Sequence, residues 1–384
     1  MNNKKEKNRI VLLPAEAGAL VGDNIYFFSS EYNLLYKVHM PDFSVSIVSR
    51  IPNNKVTASK WFRKMRYWNG KLILIPSCAE KIWLYDLKCG EWTDIVIEHP
   101  QIALKFWGTV FHQEHAFLFG AAYPAVLKVN LKDYSTSYLE INCPPEQKKE
   151  EEGLFCTEAV KLENIAFSPV SVSNHVMWLN LDTDEYGWQQ IGSLGNAYCG
   201  IDRDEDGFWI PSWEHGKIVN WDGKAKWEEY ELPKELANRR YQFTGAVCDG
   251  NKIRFLTIQD GKSLEIRKDI SGKRKIVLTE ETKKYVHVEH YEDGTIILMR
   301  DDAAIDVKWN GTWLKGRCGI DYKDFAAFFG GEDLWGLLAE KEIANETKIY
   351  ELNDYLKMVV KNQDSNTDVS KKHQVGAEIW KNIK

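Results

Sequence analysis

A polar turn followed at once by a short apolar strand recurs along this chain at nearly constant spacing, and no other feature limits the possible folds as sharply. Instances include GDNIYFF (Gly22–Phe28), WNGKLILI (Trp68–Ile75), HQEHAFLF (His112–Phe119) and EDGTIILM (Glu292–Met299). With Asp23, Asn69, Gln113, Glu163, Asp206, Asp249, Asp293 and Glu332 as turn markers, the steps are 46, 44, 50, 43, 43, 44 and 39 residues. A repeat of about 40–50 residues is the length of one four-stranded propeller blade. The long step holds Pro144–Glu152, a charged, proline-initiated loop that interrupts no strand.

The remainder of each unit agrees. A second alternating strand begins at Leu34, Ile82, Val126, Val176, Lys217, Leu264, Ala304 and Lys348. A tight turn and a further strand follow, opened by Trp92, Trp188, Trp227 or Trp313, with Phe43 and Tyr134 in equivalent places. Asp222-Gly223 and Asn310-Gly311 are hairpin dipeptides, because such residues tolerate the positive φ that a two-residue turn needs. The pattern predicts an all-β propeller of about eight four-stranded blades over residues 9–354, with seven as the alternative count. Residues 1–8 read as a flexible N-terminus and 355–384 as a partly helical or disordered tail. The eighth unit lacks an outer strand, and Arg9–Leu13 (RIVLL) reads like Arg274–Leu278 (RKIVL), the outer strand of unit six. The N-terminal strand is therefore expected to complete the last blade and remove its open edge.

The unit resembles the kelch, NHL and Trp-Asp-repeat β-propeller superfamily over nearly the whole chain, without the motifs of any one family. Gly-His and Trp-Asp dipeptides are not periodic, and a kelch-style glycine pair occurs only at Gly330-Gly331. Gly200–Ile210 (GIDRDEDGFWI) looks locally like a streptogramin-lyase propeller. The resemblance implies fold, and fold does not fix function.

Composition bounds the chemistry. A formal charge of −6 argues against a protein that coats nucleic acid, and no stretch approaches the length of a membrane-spanning helix. Seven cysteines, odd in number and without C-x-x-C spacing, suit a reducing compartment. The apolar run Ile10–Leu13 is short for a signal peptide, so a cytoplasmic location is expected. Neither a phosphate-binding glycine loop nor a zinc or nucleophile motif is present, so no cofactor and no metal are expected.

Function is expected at the channel mouth where the inner strands begin. Bases and aromatics recur there: Trp61, Arg63 and Arg66; Lys105 and Trp107; Arg239, Arg240 and Tyr241; Tyr285 and His287. Trp213 reads as part of the loop between second and third strands on the same face. Guanidinium groups pair bidentately with carboxylate or phosphate, and rings supply stacking area. The expectation is a non-enzymatic recognition module for an anionic ligand, a protein, peptide or acidic glycan, with the aromatics as inter-blade core the competing explanation. The catalytic alternative is a lyase or hydrolase using His287 and Glu289, which strand alternation places on one face, with His290 on the other.

Overall fold

Turn chemistry divides the chain where the repeat places it. Asn69-Gly70 (φ 45° and 83°) and Asn310-Gly311 (φ 47° and 76°) each put two consecutive residues at positive φ, as a tight hairpin turn requires. A second turn recurs between third and fourth strands. The amides of Phe43, Gly90, Tyr134 and Asp184 donate to the carbonyls four residues earlier, at 2.9–3.0 Å. All four residues have positive φ. In three of these turns the side chain of Asp86, Asn130 or Asn180 also accepts the amide two residues on, which favours the turn over strand continuation.

The computed structural model describes residues 10–329, apart from 53–60, 124, 143–157, 215–216, 238–242, 251, 258–261, 269–272, 281–284, 292 and 301. Within them lie eight antiparallel sheets, seven of them blades and the eighth a two-stranded ribbon. Blade one runs Ala17–Val21, Asn24–Ser29, Leu34–His39 and Val45–Ser49. The inner strands of blades two, three, four, six and seven are Phe62–Trp68, Phe106–His112, Val160–Leu162, Phe243–Asp249 and Tyr285–His290. In blade five the inner strand is broken into Ala197–Tyr198 and Asp202–Asp204, both paired with Gly207–Glu214.

The core is divided the same way, into clusters that each fill one gap between neighbouring blades. Ile73, Ile82 and Leu84 of blade two pack with Phe106, Leu118 and Leu127 of blade three. Trp209 and Ile218 of blade five pack with Phe243, Phe255 and Leu264 of blade six. Alternation delivers this arrangement, because one side of each strand feeds one gap and the other side the next.

The ring closes at seven blades, the alternative count, and not at the eight that the repeat favours. Ile297, Met299, Ile305 and Val307 of blade seven share one buried cluster with Ile25, Phe27, Tyr36 and Val38 of blade one. The Tyr291 hydroxyl donates to the Gly18 carbonyl at 3.0 Å across the same seam. On the outer strand of blade seven, a Cβ at Gly316 would meet the Phe43 ring at 2.0 Å. With blades seven and one in direct contact, no eighth blade fits between them. The unit marked by Glu332 lies outside the described residues.

The N-terminal strand also differs from expectation. Ile10–Leu12 pairs antiparallel with Gly319–Asp321, which follows blade seven, instead of supplying a missing outer strand. Blade seven already has its own outer strand, Thr312–Arg317. The ribbon is a clasp across the seam: Val11 and Leu13 are buried in the blade-seven/blade-one cluster, and Leu13 donates its amide to Cys318 and accepts the Tyr36 hydroxyl. A helix at Tyr322–Phe329 continues the clasp, seating Phe325 against Tyr32 and Phe329 beneath the Arg50 guanidinium.

Candidate functional site: the central channel

Four inner strands open with the same irregularity. Pairing slips by one residue between Phe62 and Lys64, Phe106 and Gly108, Phe243 and Gly245, and Tyr285 and His287. A bulge of this kind re-aims the extra residue and is common beside functional sites. The aromatic ahead of each bulge is core: Phe62, Phe106, Phe243 and Tyr285 are all buried. Tyr285 therefore does not wall the mouth, and its hydroxyl donates to Asp306 at 2.9 Å. In blades two and three the bulged residues are Arg63 and Trp107, and they meet, the guanidinium lying 5.6 Å from the ring centroid.

Below them a buried charge network bridges the channel. Lys64 Nζ donates to both oxygens of Glu158 at 2.7 and 2.9 Å and to Glu289 Oε2 at 3.4 Å. One ammonium thus joins blade two to the segment entering blade four and to blade seven. Arg66 Nη1 makes a short ion pair with the same Glu289 oxygen, and its guanidinium lies over Tyr291. The other Glu289 oxygen is 2.7 Å from His287 Nε2. Glu289 is fully buried, and Lys64 is 1% exposed.

Burial and neighbours set the charge states. Burial opposes ionisation of Glu289, but Arg66, Lys64 and His287 outweigh it and hold the carboxyl well below its ordinary range. Burial raises Glu158 instead, and Lys64 offsets only part of that. His287 is pushed down to about 3 by burial, against the pull of Glu289 and with help from Arg63 and Lys64. It is neutral at physiological pH. Burial also lowers Arg63, partly countered by Glu158 and Glu289, and its Nε has no hydrogen-bond acceptor among the described residues.

On the side where the inner strands end, the channel widens into a cavity of about 890 Å³. Residues of six blades line it, blade one excepted. Lys64, Arg66 and Glu158 form its floor, Phe111, Ile201 and Val288 an apolar wall, and Glu163 and Arg203 stand exposed at the rim. Asp202 ties three blades together there, accepting the Cys248 amide at 2.6 Å and lying 3.0 Å from His290 Nδ1. Burial disfavours the His290 cation, but Asp202 outweighs it and the imidazole is raised above its ordinary value.

The residues expected at the mouth thus separate. Arg63 and Trp107 come together, and Arg66, His287 and Glu289 enter the network. Trp61 is half-buried against the blade-one/blade-two core, its carbonyl accepting the amides of Ser77, Cys78 and Ala79. Lys105, expected to be open, is fully buried, with its amide on Ser77 and no partner for Nζ among the described residues. Burial lowers its pKa accordingly. Trp213 falls within the strand Gly207–Glu214, not in a loop, because that strand extends to pair with Ala197. Arg239, Arg240 and Tyr241 lie outside the described residues, as do the entries to several inner strands. Lys64 and Glu158 were not singled out in the sequence, although a K-x-R alternation facing an H-x-E on another inner strand is a readable sign of paired charges.

No family model and no curated protein matches this chain. Solved structures do. A streptogramin B lyase superimposes with a TM-score of 0.59 at 13% identity, covering 77% of this chain and 94% of its own. Virginiamycin B lyase from Staphylococcus aureus gives 0.58 at 11%, covering 77% and 96%. The WD40 repeats of RRP9 give 0.56 at 8%, covering 75% and 89%. At such identities the likeness is one of fold, and this chain is a seven-bladed β-propeller.

Proposed function

We propose that this propeller is a recognition module that receives an anionic group of a protein, peptide or acidic glycan in its channel, beside Arg63 and Trp107. One observation carries the reading: three bases, Arg63, Lys64 and Arg66, stand against two carboxylates, Glu158 and Glu289, and Arg63 is the base without an ion-pair partner among the described residues. A desolvated cation with an unmet donor is costly unless something pairs with it, and an entering anion does so. Trp107 offers the stacking surface.

The state of His287 favours recognition over catalysis. A histidine whose conjugate acid has a pKa of about 3 is a weak general base at neutral pH, and the carboxylate that orients it is already engaged by Arg66 and Lys64.

Titration calorimetry at low salt, with a glutamate-rich peptide and with heparin oligosaccharide as probes, tests the reading. Wild type is expected to bind at least one of them, and Arg63→Ala to weaken that binding about tenfold or more. Binding unaffected by Arg63→Ala, or no binding to either probe, would overturn it.

A further inference from the structure

Neither Arg63 nor Trp107 lines the cavity at the inner-strand-end face, so a ligand there meets different chemistry. We propose that it is a second binding site, for a small organic acid with an aromatic or aliphatic body. Its volume, about 890 Å³, falls in the range of small-molecule sites, which are mostly apolar with a few oriented polar groups.

The anion-binding group is Arg66. Its Nη1 is occupied by Glu289 and by the Met65 carbonyl at 3.1 Å, and one face of the guanidinium covers Tyr291. Among the described residues, Nε and Nη2 have no acceptor, and the side chain is 19% exposed on the cavity floor. A guanidinium fixed on one edge and open on the other offers a planar fork to a carboxylate or sulfonate. The competing carboxylates are engaged: both Glu158 oxygens are held by Lys64, and Asp202 by Cys248 and His290. Glu163 is exposed at the rim, where solvent screens it. Arg203, also at the rim and without an ion-pair partner among the described residues, adds attraction at the entrance. Phe111, Ile201 and Val288 receive the apolar body.

The test is fluorescence titration of the full chain with 8-anilinonaphthalene-1-sulfonate, an aromatic organic anion, in wild type, Arg203→Glu, Arg66→Lys and Arg63→Ala, with melting curves to verify each fold. Saturable binding is expected in wild type, and a saturable component is expected to persist in Arg63→Ala, which removes only the share taken up beside Trp107. Arg203→Glu, an exposed change, is expected to weaken it only about threefold at low salt, the scale of a screened surface charge. Arg66→Lys, which keeps the charge and loses the fork, is expected to weaken it as well. Absence of saturable binding, wild-type affinity in Arg203→Glu, or loss through Arg63→Ala alone would overturn the proposal. Since the peptide and heparin titrations respond to Arg63, failure of one site is distinguishable from failure of the other.

Discussion

Replacing Lys64 with Met should destabilise the whole ring, because one buried ammonium holds blade two to partners 94 and 225 residues away. Met preserves most of the volume and removes the charge. Glu289 keeps Arg66 and His287, but Glu158, already raised by burial, loses the cation that opposes that rise. Breaking a buried ion pair by removing one partner costs about 3–5 kcal/mol. Unfolding entropy of about 2 cal/mol/K per residue, over the roughly 270 described residues, converts about 4 kcal/mol into a fall of about 7 °C in Tm. Adding Glu158→Gln should relieve part of the cost, since the buried carboxylate that has lost Lys64 is then gone, with a coupling energy of about 0.5–3 kcal/mol. Urea denaturation and calorimetric melting of the two single variants and the double variant measure this directly. If Lys64→Met melts with wild type, or the two costs simply add, the channel network is not the structural bridge described here.

Four further outcomes are expected. Removing residues 1–14 takes Val11 and Leu13 from the seam and unpairs Gly319–Asp321, and should cost several kcal/mol with loss of solubility; an unchanged melt would refute the clasp. Gly316→Val forces a side chain onto the Phe43 ring and should lower stability by about 1–3 kcal/mol or more, whereas Gly250→Ala, at a turn with open space and φ 60°, should cost less; equal effects would count against the tight seam. The stability contributed by His290, whose folded pKa is raised, is fully present below pH 6.5 and should be lost as pH rises through the folded value; His287, lowered to about 3, acts oppositely and makes stability fall as pH drops from 6.5 toward 3. Stability–pH curves of His290→Gln and His287→Gln should each lose the corresponding slope. Thiol titration under denaturing, non-reducing conditions should find all seven cysteines reactive, and two or more disulfides would contradict a reducing compartment.

The blades were legible because their signals are local. Turn dipeptides such as Asn69-Gly70 and period-two alternation are written within a few residues, and seven of the eight turn markers fall at or beside the turns that join first and second strands. The blade count was not legible, since Glu332 fits the period while closure depends on non-local contacts: Tyr291 with Gly18, and Gly316 with Phe43. The same limit governs the channel. The sequence places bases and aromatics together ahead of the inner strands, but the bulge decides that Arg63 and Trp107 meet while Phe62, Phe106 and Tyr285 become core. Lys64 is not legible because a lysine between two arginines looks solvated until its partners on other blades are known.

An anion's position in the channel can be observed directly. Crystals soaked in bromide should show an anomalous peak beside the Arg63 guanidinium and the Trp107 ring, because that cation carries the unmatched charge of the cluster. The same soak of Arg63→Ala crystals should lose that peak and keep any surface sites. Bromide confined to the outer surface in wild type, with Arg63 turned onto a carboxylate of the chain, would contradict the account.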